Sequence, residues 1–178
     1  MKSMIDKYFP EMEIDVSWYS KKRTIGYSSG HTDLNSLDQL VKDCQKCDLY
    51  KTRKNTVFGD GDKNSDVMII GEAPGREEDE AGKPFIGRAG KLLNEFLKSI
   101  GLNRESVYIV NTVKCRPPEN RDPEISEINA CSDYLDQQIS IIEPKVLVLL
   151  GKIAANRFLN EDKPISDLRL KKFFVEKY

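Results

Sequence analysis

Three short apolar runs punctuate the chain, and each stops at a residue with unusual backbone or side-chain options. Val67–Met68–Ile69–Ile70 ends at Gly71, Val107–Tyr108–Ile109–Val110 ends at Asn111, and Val146–Leu147–Val148–Leu149–Leu150 ends at Gly151. None alternates with polar residues, which suits strands buried on both faces. Between the runs the period changes to that of a helix. Leu92, Leu93, Phe96, Leu97 and Ile100 recur at helical spacing before Gly101, a natural stop. Ile125, Ile128, Leu135, Ile139 and Ile142 mark the core face of a longer helix, with Asp122 as its expected cap and Pro123 at its start. Ahead of the first run, Leu37, Leu40, Val41 and Cys44 share one helical face, and Ser36 with Gln39 fits a capping box. A short helix is expected after Gly151. Strands alternating with helices predict an α/β fold, with three α/β/α layers around a central parallel sheet.

Residues 1–33 show neither period. They mix Trp18, Tyr19 and Tyr27 with a basic patch at Lys21–Lys22–Arg23, so residues 1–35 read as an extension and 36–178 as the domain. A surface tail is the favoured reading of that extension over a DNA contact by the basic patch.

In open parallel sheets ligands bind at the carboxyl ends of the strands. Those ends carry Gly71–Gly75, Asn111–Arg121 and Gly151. The run GEAPGREEDE places glycines after a strand, where backbone can approach a ligand closely. It lacks the Walker lysine and the Rossmann spacing, which argues against nucleotide hydrolysis and dinucleotide binding. Its acidic part, Glu77–Glu78–Asp79–Glu80, reads as a solvated face rather than a cation site. Asn111 offers a donor and an acceptor suited to a base edge, although an isolated Asn more often bonds its own backbone. Arg116 and Arg121 flank the stiff Pro117–Pro118 pair with charge suited to phosphate. Phe85, inside GKPFIGRAG, is either a core ring or a stacking platform for a base.

Bulk charge adds little: 28 Lys and Arg against 29 Asp and Glu leave a net charge of −1, so no polyanionic partner is signalled. No apolar run approaches a membrane span, and no signal-peptide core follows Met1; a cytoplasmic monomer is expected. In a reducing compartment the four cysteines, Cys44, Cys47, Cys115 and Cys131, read as metal ligands rather than disulfides. Zinc and an iron–sulfur cluster both suit the spacing. A redox pair at Cys44-x-x-Cys47 is the competing reading, but the motif precedes the first strand and the other two thiols stay unexplained.

In order along the chain, C-x-x-C, GEAPGREED, GKPFIGRAG, NTVKCRPPENRDP and the later Cys131 resemble family-4 uracil-DNA glycosylases, over roughly Leu37 to Leu170. The resemblance implies a uracil-DNA glycosylase-like fold. It also implies a structural 4Fe–4S cluster on Cys44, Cys47, Cys115 and Cys131, with zinc as the less favoured metal. The implied reaction is hydrolysis of the N-glycosidic bond of uracil in DNA, for base excision repair. Phe85 would stack on the flipped base, Asn111 would read its polar edge, and Gly71 and Ala73 would line the pocket. Glu72 would shape the space beside the base, and Asn120 would position the water or the sugar. The family also carries a His-Pro motif in a loop that donates to the departing base. Here the single histidine is His31 and no His-Pro dipeptide occurs. Impaired activity and a missing last strand are therefore expected, with a non-catalytic DNA- or uracil-binding module as the alternative.

Overall fold

The computed structural model describes residues 33–159 and 164–168. Within them the elements follow as α1 (Leu34–Lys42), β1 (Asp60–Gly61), β2 (Val67–Gly71), α2 (Arg76–Ala81), α3 (Arg88–Ser99), β3 (Tyr108–Asn111), α4 (Ile125–Ile142), β4 (Val146–Leu149), α5 (Lys152–Leu159) and α6 (Ile165–Leu168). The basic patch at Lys21–Arg23 and His31 lie outside the described residues.

The three apolar runs become β2, β3 and β4, which pair in parallel with β2 in the middle. Sequence reading did not foresee β1, a two-residue strand antiparallel to β3 that gives the order β1-β3-β2-β4. Two residues carry no strand periodicity, so nothing in the sequence could mark them.

Side chains of the parallel strands divide between two cores. Met68, Ile70, Tyr108 and Val110 pack with Leu34 of α1, Leu135, Ile139 and Ile142 of α4 and Ala154 of α5. On the opposite face, Val67, Ile69 and Ile109 pack with Leu93 and Leu97 of α3. Helices thus cover both faces, as three layers require. A third apolar cluster joins Leu37 and Val41 of α1 to Val113, Cys115, Cys131 and Tyr134, beyond the end of the sheet.

Local chemistry corrects three expectations. Helix α1 begins one turn early: Asp33 is its cap, and its carboxylate accepts from the Asn35 and Ser36 backbone N–H groups, so Ser36 is a donor to the cap and not the cap itself. Helix α4 is capped by Glu124, whose own N–H is bonded by the Glu127 carboxylate, and not by Asp122. Ile125 points to solvent, as do Leu92 and Phe96 on α3, so the apolar periodicity overstated both buried faces. The stop at Gly101 is as expected. Its φ of +75° lets Leu102 N–H reach the Leu97 carbonyl at 2.8 Å, a paired-bond helix end that also buries both leucines.

The Asp33 cap provides a direct check. Asp33→Ala removes the acceptor of two backbone N–H groups, and about 1 kcal/mol of stability is expected to go with it. Thermal unfolding should shift down by about 2–4 °C, whereas Ser36→Ala should leave the transition nearly in place.

Candidate active site

Two sites take shape at the carboxyl end of the sheet. The first is built on a register pair. Gly71 and Asn111 end adjacent parallel strands and stand opposite one another. The pairing continues past the strands, with Thr112 N–H on the Gly71 carbonyl at 2.9 Å and Val113 N–H on that of Glu72 at 3.2 Å. Because β2 and β3 are in register, the Asn111 carboxamide lies beside the one residue with no side chain. A β-carbon on Gly71 would sit 2.6 Å from Asn111 Oδ1 and closer still to the Phe85 ring. Phe85, Gly71 and Asn111 therefore close around one small space. Asn111 is 1% exposed, and its Oδ1 is buried with no hydrogen-bond partner. A buried polar atom of this kind costs about 1–3 kcal/mol if nothing meets it, which is the signature of an acceptor waiting for a donor.

Phe85 reaches this point from an unusual backbone. Its φ is +52°, in the left-handed region that few non-glycine residues adopt. The loop lies so close to α3 that a β-carbon on Gly90 would collide with the Phe85 carbonyl. Sequence reading took the acidic run on α2 as a solvated face; in part it is a fastener. Glu78 accepts from the N–H groups of Gly75, Ile86 and Gly87, and buried Asp79 accepts from Lys54 and Asn55 N–H.

Glu72 follows directly. It is half-buried, and its carboxyl pKa is raised by burial and by the facing carboxylate of Asp122, with which it shares a hydrogen bond. Asp122 had been read only as a helix cap, and it is this second acid that sequence reasoning missed. Because the folded pKa lies above the free value, the fold favours the protonated acid. That preference stabilises at acid pH and is lost as pH rises through the raised pKa. Glu72→Gln should therefore raise the unfolding temperature at neutral pH and leave it unchanged in acid, as read from melting curves across pH.

Asn120 occupies an exposed turn with φ of +57°, where its Oδ1 accepts from Arg116 Nε at 2.8 Å. Arg121 is not free for phosphate, being forked onto Glu127 at 2.6 and 2.9 Å. Ala73 turns toward the third apolar cluster and packs among residues that include Cys115 and Cys131.

That cluster contains the second site. Cys44, Cys47, Cys115 and Cys131 line one pocket together with Val41, Lys46, Tyr50, Arg53, Lys114, Ala130 and Tyr134. Cys44 arrives just past the end of α1, Cys131 lies on α4, and Cys115 follows β3, so the pocket joins three separate elements. Several N–H groups point at the sulfurs: Arg53 Nη1 lies 3.0 Å from Cys115 Sγ and Lys46 N–H 3.5 Å from Cys44 Sγ. Burial pushes the Cys131 thiol up to about 11 and raises those of Cys115 and Cys47. A protonated thiol is a poor nucleophile, so the raised Cys47 weighs against a redox role for it, whereas a bound cation would deprotonate these thiols. Among the described residues, no three Cys, His, Asp or Glu side chains form a group able to hold a single metal ion, as a zinc site requires.

Lys114 was not singled out from sequence, yet it connects the two sites. Wholly buried, it lines the thiol pocket while its Nζ donates to the Asn111 carbonyl at 2.7 Å. Burial lowers its pKa to about 8, partly countered by Cys131 and Cys115. No helix among the described residues is long and apolar enough to cross a membrane.

Residues 58–176 match the family model of the uracil DNA glycosylase superfamily. A type-4 uracil-DNA glycosylase of Archaeoglobus fulgidus is 49% identical over 152 residues, covering 82% of this chain and 76% of the relative. Those of Pyrobaculum aerophilum and Thermotoga maritima are 52% and 47% identical, each over 71% of this chain and 65% and 66% of the relative. The chain thus spans between about two thirds and three quarters of the length of these three relatives. The pocket around Gly71 and the four-thiol pocket beside it stand on a chain that belongs to the uracil DNA glycosylase superfamily, in its type-4 branch.

Proposed function

We propose that this protein removes uracil from DNA by hydrolysing its N-glycosidic bond, acting as a cytoplasmic monomer on uracil-containing DNA. The observation that carries the reading is the unpartnered Oδ1 of Asn111, buried beside Gly71 and the Phe85 ring. A base cannot be reached inside the duplex, so the target nucleotide leaves the stack and enters a pocket. Uracil presents an N–H donor next to a carbonyl acceptor, and a carboxamide in one orientation meets both. Cytosine presents the reverse order on the same edge, and the same orientation rejects it. Phe85 stacks on the base face, with Gly71 leaving the room that any side chain would fill.

Bond cleavage leaves negative charge on the base and positive charge on the sugar. Fixed donors around the pocket favour the first. Glu72, held at the rim against Asp122, places acid character beside the base, and Asn120 on its turn orients the water or the sugar. The four thiols fit an iron–sulfur cluster in this role of holder: they ring a pocket rather than one point, inside an apolar cluster with N–H groups aimed at sulfur. Zinc would need all four sulfurs within about 2.3 Å of one centre. When bound, the cluster supplies a rigid cross-link and takes no part in the chemistry. Cys44, Cys47, Cys115 and Cys131 would hold it, and Lys114 supplies a buried counter-charge to the thiolates.

The test is base release from a uracil-containing oligonucleotide, with protein purified without oxygen and its visible spectrum recorded. Free uracil released by a brown protein is the expected result. Binding of uracil-containing DNA without release would instead favour the non-catalytic module on the same scaffold.

A further inference from the structure

The left-handed backbone of Phe85 is held from both sides. On one side Arg104 extends from the turn before β3, its Nη1 donating to the Phe85 carbonyl at 2.8 Å and its Nη2 to that of Pro84 at 2.7 Å. On the other, Glu78 Oε1 accepts from Ile86 N–H at 2.9 Å and Gly87 N–H at 2.7 Å. Arg104 is itself aimed, by Asp60 Oδ2 at 3.3 Å and Asn94 Oδ1 at 3.4 Å, and its side chain is only 18% exposed. A strained residue persists only where its surroundings over-determine it. Here the peptide groups before and after the ring are both tied to charged side chains.

We propose that Arg104 is a positioning residue for base recognition: by gripping the Pro84 and Phe85 carbonyls it holds the Phe85 ring over Gly71 and beside Asn111. The inference rests on the reading of Phe85 as the stacking platform. The planar guanidinium is suited to this because its donors reach two carbonyls at once, which a single ammonium does not reproduce. A ring ordered in advance need not be ordered by the incoming base, so the grip is felt in uracil affinity.

The experiment is a cycle of Arg104→Gln and Phe85→Ala, singly and together, with Arg104→Lys alongside. Free-uracil affinity is read by calorimetry, KM and kcat by base release, and integrity by melting temperature and visible spectrum. Each single change is expected to weaken uracil binding about tenfold and raise KM similarly, with a smaller change in kcat. The double variant should be within about twofold of Phe85→Ala alone, since Arg104 acts through that ring. Arg104→Lys keeps the charge beside Asp60 and should remain defective. Should the glutamine variant not fold, the lysine variant carries the same comparison. Losses that multiply in the double variant, or wild-type affinity in Arg104→Lys or Arg104→Gln while Phe85→Ala is impaired, overturn the inference alone. Wild-type protein that neither binds nor releases uracil, or a Phe85→Ala protein with unchanged constants, removes the reading beneath it.

Discussion

Replacing Asn111 with alanine should lower kcat/KM for uracil release by about 10²–10³-fold, the loss typical of removing one preorganised polar group at a reacting centre. The change should cost no stability and should raise the melting temperature slightly. Both outcomes follow from one observation, the buried Oδ1 that meets no partner in the protein. Without uracil that atom is a desolvated acceptor, and alanine relieves the penalty. With uracil it is the group that recognises the base, and alanine leaves the polar edge of the base unmet. Single-turnover base release and thermal unfolding on the same preparation decide the matter. A variant that loses activity and stability together would place Asn111 in the scaffold instead, bonded to its own backbone.

The second large effect concerns the thiols. Cys131→Ser should abolish bound iron and visible absorbance and should destabilise the protein by about 4 kcal/mol or more, a fall in melting temperature of about 8–16 °C. The reason is where the ligands come from. Cys44 follows α1, Cys115 leaves β3 and Cys131 lies within α4, so a shared centre would tie these elements together at the end of the sheet, beside the small apolar cluster of Leu37, Val41, Val113 and Tyr134. Serine at position 44, 47 or 115 should have the same effect on iron. A redox pair predicts otherwise: Cys115→Ser and Cys131→Ser would be harmless, and only the first two thiols would matter. Iron content and melting curves of the four variants separate these cases.

What could be read from sequence divides along physical lines. The parallel strands were legible because burial on both faces leaves uninterrupted apolar runs, and the stops at Gly71, Asn111 and Gly151 marked where a site would lie. The helix starts were misjudged because several polar residues in a row could each cap. Asp33 rather than Ser36, and Glu124 rather than Asp122, won through side-chain geometry that spacing does not encode. Leu92, Phe96 and Ile125 follow helical periodicity closely enough to mimic core, yet they face outward. The meeting of Phe85 with Asn111 was suggested by motif resemblance and not by pattern, because it depends on strand register and on a left-handed loop. Lys114 and Arg104 escaped notice, and Asp122 was read only as a helix cap, for a common reason. A lone charged residue in sequence looks like surface, and only the fold shows what it faces.

The distribution of the thiols also bears on how the molecule is made. Cys44 and Cys47 leave the ribosome well before Cys131, and at about 5–20 residues per second the interval lasts several seconds. Throughout it the first pair waits without its full set of partners, because the pocket is complete only when α4 has packed against α1. Delivery of a cluster to these thiols would therefore be a late event, because the pocket awaits Cys131 on α4. The interval is also the period of greatest exposure to oxidants, when a Cys44–Cys47 bridge can form and block loading. Yield of a cluster-bearing protein would thus depend on the redox state during synthesis.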